Sequence, residues 1–217
     1  MGNGTQLIRQ ENLHIQAYEY IKSAVIAGEI EPDTLYAVHQ FATILGVSRT
    51  PVREALLLLV QEGLLTMDRN RGFRIRQLTG SDLSEIISLR RMLEIPAVET
   101  LASMTPAPVT AFAEARMLYD KLQEAADKGD FLQFLSLDRR FHLTLVGALG
   151  NSRLTRLVGE LRDQMQLPGI RRLSISGELH TQGPEHLALL TAIQDANPGR
   201  AAAIMKSHLD RTQADWA

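Results

Sequence analysis

The run GVSRTPVREAL, Gly46 to Leu56, decides how the first third of the chain folds. Gly46 can take the left-handed backbone that closes one helix, and Ser48 is suited to the N-cap of the next. Pro51 is tolerated in a first turn whose N–H groups lack helical partners. Arg49 and Arg53 are four residues apart and share one face at the leading end of that second helix. A pair of arginines alone is ordinary on a solvated helix; the flanking residues make this pair informative. Upstream, Leu35 to Leu45 carries Val38, Phe41, Ala42 and Leu45 at helical spacing. Downstream, Leu56, Leu57, Val60 and Leu64 give the second helix a core-facing side, and Gly63 loosens its end. Leu65–Met67 and Phe73–Ile75 then read as two short strands around Asp68, Arg69, Asn70, Arg71 and Gly72. The pattern predicts a helix-turn-helix followed by a hairpin wing, an arrangement that sets arginines at the tip of a major-groove helix for base and phosphate contact.

Length and composition predict more than this one unit. A chain of 217 residues with 45% hydrophobic content exceeds the commonest size of a single domain. The boundary falls near Leu78 to Ser81, giving an expected DNA-binding domain over 1–78 and a second domain over 79–217. No cysteine is present, which removes disulfides, thiolate metal sites and cysteine nucleophiles. No apolar run is long enough to span a bilayer and the N-terminus lacks the pattern of a secretory signal, so the expected location is the cytoplasm, with no membrane partner. The net charge of −2 looks wrong for a nucleic-acid binder until it is divided: between Arg49 and Arg76 six arginines face only Glu54, Glu62 and Asp68. A local patch of that kind serves phosphate contact, and two copies on a palindrome would strengthen it.

Beyond Leu78 the periodicity is helical throughout. The expected helices run from Thr79 or Ser81 to Leu101, from Pro106 and Pro108 to Asp127, from Asp130 to Leu149, from Ser152 to Leu167, from Pro184 to Ala196 and from Pro198 to Trp216. Pro168-Gly169 is expected to interrupt the fourth, ahead of a separate segment over Ile170 to Ile175. In the first of these helices Leu83, Ile86, Ile87, Leu89, Leu93 and Ala97 are placed on the core side, some of them also at a dimer contact. The fold class is therefore mainly α: a winged helix-turn-helix with a small β-hairpin, then an all-α antiparallel bundle.

Asp138 and His142 stand at i and i+4 on one expected helix, and His186 and His208 lie in the last two. If the bundle turns these inward, they supply one oxygen and three nitrogens, a set suited to a divalent transition ion such as Zn, Ni or Mn. Spacing alone is a weak signal for this. Arg90 has two readings of equal weight: a fork for the carboxylate of a small effector, or an i, i+4 ion pair with Glu94. His14 and His180 are expected at the surface, and Trp216 packed on the last helix.

Two resemblances sharpen these readings. The segment from Tyr18 to Leu78 resembles the winged helix-turn-helix of GntR-type bacterial transcriptional regulators, through Gly28 and Pro32, the SRTPVREAL run, Glu62-Gly63-Leu64 and Arg71-Gly72-Phe73. The resemblance implies that Arg49, Thr50 and Arg53 contact DNA and that Gly72 lets the wing backbone approach the minor groove; Ser48 and Arg71 complete the candidate contact set. His39 departs from the family, standing where many members carry a charged residue. The second half, through Arg90-x-x-Leu93-Glu94, Asp138-x-x-Phe141-His142, Asn151, His186 and His208, resembles the FCD ligand-binding domain of FadR-like members, and its length the VanR-type branch. That implies a metal held by Asp138, His142, His186 and His208, with a small carboxylate effector completing its coordination. The expected protein is a homodimeric regulator, repressing from a two-fold symmetric operator on double-stranded DNA and released by effector. A regulator for which the ion itself is the signal, and a metal-dependent enzyme acting on a small acid, are the alternatives.

Overall fold

The computed structural model describes the backbone of residues 3–31, 34–69, 71–176 and 183–216, and the side chains of 13–31, 34–69, 71–165 and 184–214. Pro32, Asn70 and His180, and the side chain of Trp216, all used in the sequence expectations, lie outside the described residues. The chain divides into two compact units, Met1–Gln77 and Leu78–Ala217.

In the first unit a long helix precedes the helix-turn-helix: α1, Asn3–Ile26, whose Ala17, Ile21, Ala24 and Val25 pack on the unit's core. The helix-turn-helix follows as α2, Val38–Leu45, and α3, Arg49–Gln61. Helix α2 starts later than Leu35 because Tyr36 is taken into an antiparallel bridge with Phe73, and it ends at Gly46, whose φ of 65° is left-handed as the sequence required. Helix α3 buries Val52, Ala55, Leu56 and Leu59 completely, while Leu57 and Val60 are only half-buried. Strands β1, Leu65–Asp68, and β2, Gly72–Ile75, pair antiparallel with Leu65 opposite Ile75 and Asp68 opposite Gly72. The ends of α1 and α3 are tied by Tyr18, which donates to the Glu62 carboxylate at 2.8 Å and accepts from Lys22 at 2.7 Å.

The second unit is a bundle of α4, Gly80–Ala102; α5, Val109–Asp127; α6, Phe131–Gly147; α7, Ser152–Ser176; α8, Gly183–Gln194; and α9, Pro198–Trp216. Side-chain caps set several of the starts. Thr79 accepts from Asp82 N and the Asp82 carboxylate accepts from Thr79 N, a reciprocal box that makes Thr79 rather than Ser81 the cap. Asp130 accepts from Gln133 N, Asn151 from Leu154 N and Asn197 from Arg200 N. The core is built from residues such as Leu101, Leu122, Phe134, Phe141, Leu145 and Leu189.

Two expectations fail here. Helix α7 continues through Pro168 and Gly169 instead of ending at Leu167. A proline forfeits one backbone hydrogen bond and crowds the carbonyl four residues back, a local cost that a long helix can absorb, as α4 does at Pro96. Leu89, assigned to the core side, is 48% exposed, because the inward stripe of α4 runs through Ile87, Arg90, Glu94, Ala97 and Leu101 and leaves Leu89 rotated away.

Candidate functional site

In the first unit the sequence-predicted contact residues all lie at the start of α3 and on the hairpin. Ser48 occupies the N-cap position with an extended backbone, φ −68° and ψ 163°, but its hydroxyl makes no capping hydrogen bond. Arg49 and Thr50 open the helix and Arg53 follows one turn later; all are exposed. Arg71 is 70% exposed at the hairpin turn, where Asp68 pairs with it at 3.6 Å and with Arg74 at 3.0 Å. Between helix and hairpin lies a cleft of about 270 Å³ whose lining includes Arg53, Arg69, Arg71 and Gly72. Gly72 has a φ of 146°, and a Cβ there would collide with the backbone carbonyl of Tyr36. The need for glycine thus has an internal cause, the close pairing of Tyr36 with Phe73 through N–H···O bonds of 2.7 and 2.9 Å.

In the second unit Asp138, His142, His186 and His208 converge from α6, α8 and α9. Each offers a ligand atom within 4.8 Å of the others, and the three imidazoles are 1%, 1% and 6% exposed. His186 Nε2 lies 2.8 Å from Asp138 Oδ1 and 3.3 Å from His142 Nε2; His142 Nε2 is 3.7 Å from the same carboxylate oxygen. Phe141 closes one side, its ring edge-on to His142 and His186.

A buried charge network surrounds this cluster. Arg90 donates through Nε to Glu94 at 2.7 Å, so the ion-pair reading of Arg90 is the one realised in this structure. Glu94 is bonded also by Arg162 of α7, whose Nη1 continues to Asp138 Oδ2 at 3.1 Å. Arg90 is therefore outside the four-ligand cluster yet connected to it through Glu94, Arg162 and Asp138. Beside this, Arg139 pairs with the buried Asp163. On the opposite side Glu185 Oε2 lies 3.3 Å from His208 Nδ1, and Arg211 donates to Glu185 Oε1 at 2.6 Å.

These surroundings shift the ionisation of several buried groups. Burial, reinforced by the Arg162 guanidinium, pushes the His142 imidazole well below its usual range. Burial also lowers His208, against the opposing pull of its Glu185 hydrogen bond. Burial by itself would raise the Asp138 carboxyl, but His142, the His186 hydrogen bond and Arg162 outweigh it and hold Asp138 well below the carboxylate range. Glu94 is likewise lowered: burial opposes ionisation, and Arg162 and Arg90 overcome it.

An anionic oxygen beside His142 and His208, two buried imidazoles disfavoured as cations, is the donor chemistry a divalent transition ion requires. Ligand atoms about 2.0–2.1 Å from a tetrahedral zinc are about 3.3 Å apart; the separations among Asp138, His142 and His186 straddle that value, and His208 lies within 4.8 Å of them. His142 Nδ1, buried and without a hydrogen-bond partner among the described residues, is the one polar atom of the cluster left unsatisfied. The residues present fit a metal.

Arg162, Asp163 and Glu185 were not singled out by the sequence. The only trace is that Asp138-Arg139 on one helix is mirrored by Arg162-Asp163 on the next, and nothing in the spacing says that these dipeptides meet. His14, expected at the surface, is half-buried on α1.

Comparison with known proteins agrees with both halves. Residues 13–75 match the bacterial regulatory proteins of the gntR family and residues 85–211 match the FCD domain. The HTH-type transcriptional regulator McbR of Escherichia coli K12 is 31% identical over 171 residues, covering 78% of this chain and 76% of that protein. Its solved structure superposes with a TM-score of 0.82 at 28% identity, covering 93% of this chain and 95% of that one. The HTH-type transcriptional repressor GlaR of the same organism is 25% identical over 202 residues, 90% of this chain and 91% of that protein. Among the described residues no helix is long and apolar enough to cross a membrane. With a winged helix-turn-helix in one unit and an FCD fold in the other, the chain belongs to the FCD-domain regulators of the gntR family and is a DNA-binding transcriptional regulator, not an enzyme.

Proposed function

We propose that the protein is a homodimeric repressor whose operator affinity is set by a small carboxylate bound at a metal site in the helical unit. Residues 1–78 would dock on a two-fold symmetric operator, Arg49, Thr50 and Arg53 entering the major groove with Ser48, and Arg71 and Gly72 following the adjacent backbone. Residues 79–217 would hold the effector and the dimer contact. Repression is favoured by the relatives named as repressors, GlaR among them.

The single observation that carries the reading is the convergence of one carboxylate and three buried imidazoles. Asp138, His142, His186 and His208 would hold a divalent transition ion, zinc first and nickel or manganese after it, which when bound supplies a Lewis-acidic attachment point for an anion. Charge supports the carboxylate. Arg90 and Arg162 are balanced by Glu94 and Asp138, so a divalent ion would add two positive charges that burial makes costly to leave uncompensated. Arg162, bonded to Asp138, and Arg90, linked to it through Glu94, would share such an anion by exchanging part of their pairing with Asp138 and Glu94 for the incoming oxygens.

Native mass spectrometry of the purified protein tests this directly. The expected result is a dimer carrying one divalent ion per protomer together with a small organic acid, with the ion lost in His142→Ala. The acid should then weaken binding of a selected operator duplex. A monomer, a metal-free protein, or tighter DNA binding on adding the acid would each overturn the corresponding part of the proposal.

A further inference from the structure

Glu185 immediately precedes the ligand His186 in the first turn of α8, yet its carboxylate turns to the ring of His208 on α9. Oε2 is 3.3 Å from His208 Nδ1, while Oε1 is held at 2.6 Å by Arg211, three residues after His208 on the same helix. The carboxylate is only 15% exposed and the histidine 8%, so solvent does little to loosen the contact. Glu185 is not one of the four converging ligands.

We infer that Glu185 is a positioning residue of the metal site, accepting the Nδ1 proton of His208 so that the Nε2 lone pair of that ring faces the ion. The inference rests on the metal reading above and adds a residue to it. An imidazole has two tautomers and a free ring torsion. A carboxylate on Nδ1 selects the tautomer with Nε2 unprotonated, fixes the ring plane, and makes the nitrogen a stronger donor. Arg211 keeps the carboxylate aimed by occupying its other oxygen. Among the described residues His142 has no such partner on Nδ1: the Glu94 oxygen, 3.8 Å away, is already bonded by Arg162. One adjacent pair in the chain, Glu185 and His186, thereby serves the site twice, the histidine as a ligand and the glutamate through the ligand of another helix.

The test is zinc affinity by chelator competition in the full-length protein, with the cobalt(II) absorption spectrum as a second readout, for the unmodified chain, Glu185→Gln, Glu185→Ala and His208→Ala. Glu185→Gln preserves shape and removes the charge. It is expected to keep the metal-free melting temperature, to lose roughly ten- to a hundredfold in zinc affinity, and to shift the cobalt band, with Glu185→Ala losing at least as much. Unchanged affinity and spectrum in both Glu185→Gln and Glu185→Ala, with His208→Ala still impaired, would overturn the positioning role and leave the metal site intact. A loss in Glu185→Ala that Glu185→Gln fully restores would overturn the part assigned to the carboxylate's charge, since the glutamine Oε1 can still accept the Nδ1 proton. No zinc binding by the unmodified protein would overturn the metal reading and this inference together.

Discussion

Arg49 is the first helical residue of α3, exposed, and in none of the ion pairs among the described residues. Its removal should therefore leave folding untouched and act on DNA alone. Arg49→Ala is expected to lose about 1–3 kcal/mol of operator affinity with no change in thermal unfolding, measured by fluorescence anisotropy on a selected duplex and by circular dichroism. Equal affinity would mean that this end of α3 does not meet the duplex. Gly72 behaves oppositely. Its φ of 146° and the Tyr36 carbonyl beside it leave no space for a methyl group, so Gly72→Ala should destabilise the hairpin by about 1–3 kcal/mol before any DNA is present. Faster hydrogen exchange at the Tyr36 and Phe73 amides, which bond each other's carbonyls, would report it. Exchange unchanged from the parent protein would show that the strand relaxes around the added carbon.

Helices α4, α6 and α7 are held to one another by Arg162, which is 4% exposed and bonds Glu94 on α4 and Asp138 on α6. Replacing one member of a buried pair leaves the other charge without compensation, a loss of about 3–5 kcal/mol. Arg162→Met, close in length and unable to pair, should lower the unfolding free energy of the helical unit, read from urea denaturation, by an amount in that range, and Glu94→Gln made in the same chain should recover part of it. No recovery in the double variant would mean that Arg162 acts through packing alone. This network also marks how far the sequence could be read. Element starts were legible because their causes are local: Thr79 with Asp82, Asp130 with Gln133, and Gly46 in its left-handed turn are all decided within four residues. The four converging residues were only weakly legible from spacing and were singled out by a resemblance, since Asp138 and His142 share a helix but His186 and His208 reach them by folding. Arg162 and Glu185 had neither a local cause nor a motif, and a charged residue on an amphipathic helix reads as solvated until the fold buries it. Pro168 misled because a local break signal did not end the longer helix α7, and Leu89 because the inward stripe of α4 runs through Ile87, Arg90 and Glu94 instead.

For the whole molecule the regulatory reading reduces to a coupling free energy between the helical unit and DNA. An effector alters operator affinity only by the difference between its affinities for the DNA-competent and incompetent forms. Binding equilibria are reciprocal, so if the acid weakens operator binding by a given factor, the operator must weaken acid binding by that same factor. Calorimetric titration of the metal-loaded protein with the co-purifying acid, run free and on a saturating operator duplex, should give two dissociation constants. Their ratio is expected to equal the ratio of operator affinities measured with and without acid, typically about five- to 150-fold. Stripping the ion with a chelator should bring both ratios to one, because Arg90 and Arg162 would then return to Glu94 and Asp138 with no uncompensated charge to hold the anion. Matching ratios that persist without metal would place the anion on the arginines alone. An operator shift with no reciprocal change in the titrated acid affinity would mean that the acid site seen by calorimetry is not the one coupled to DNA, and would overturn the bundle as the source of the effect.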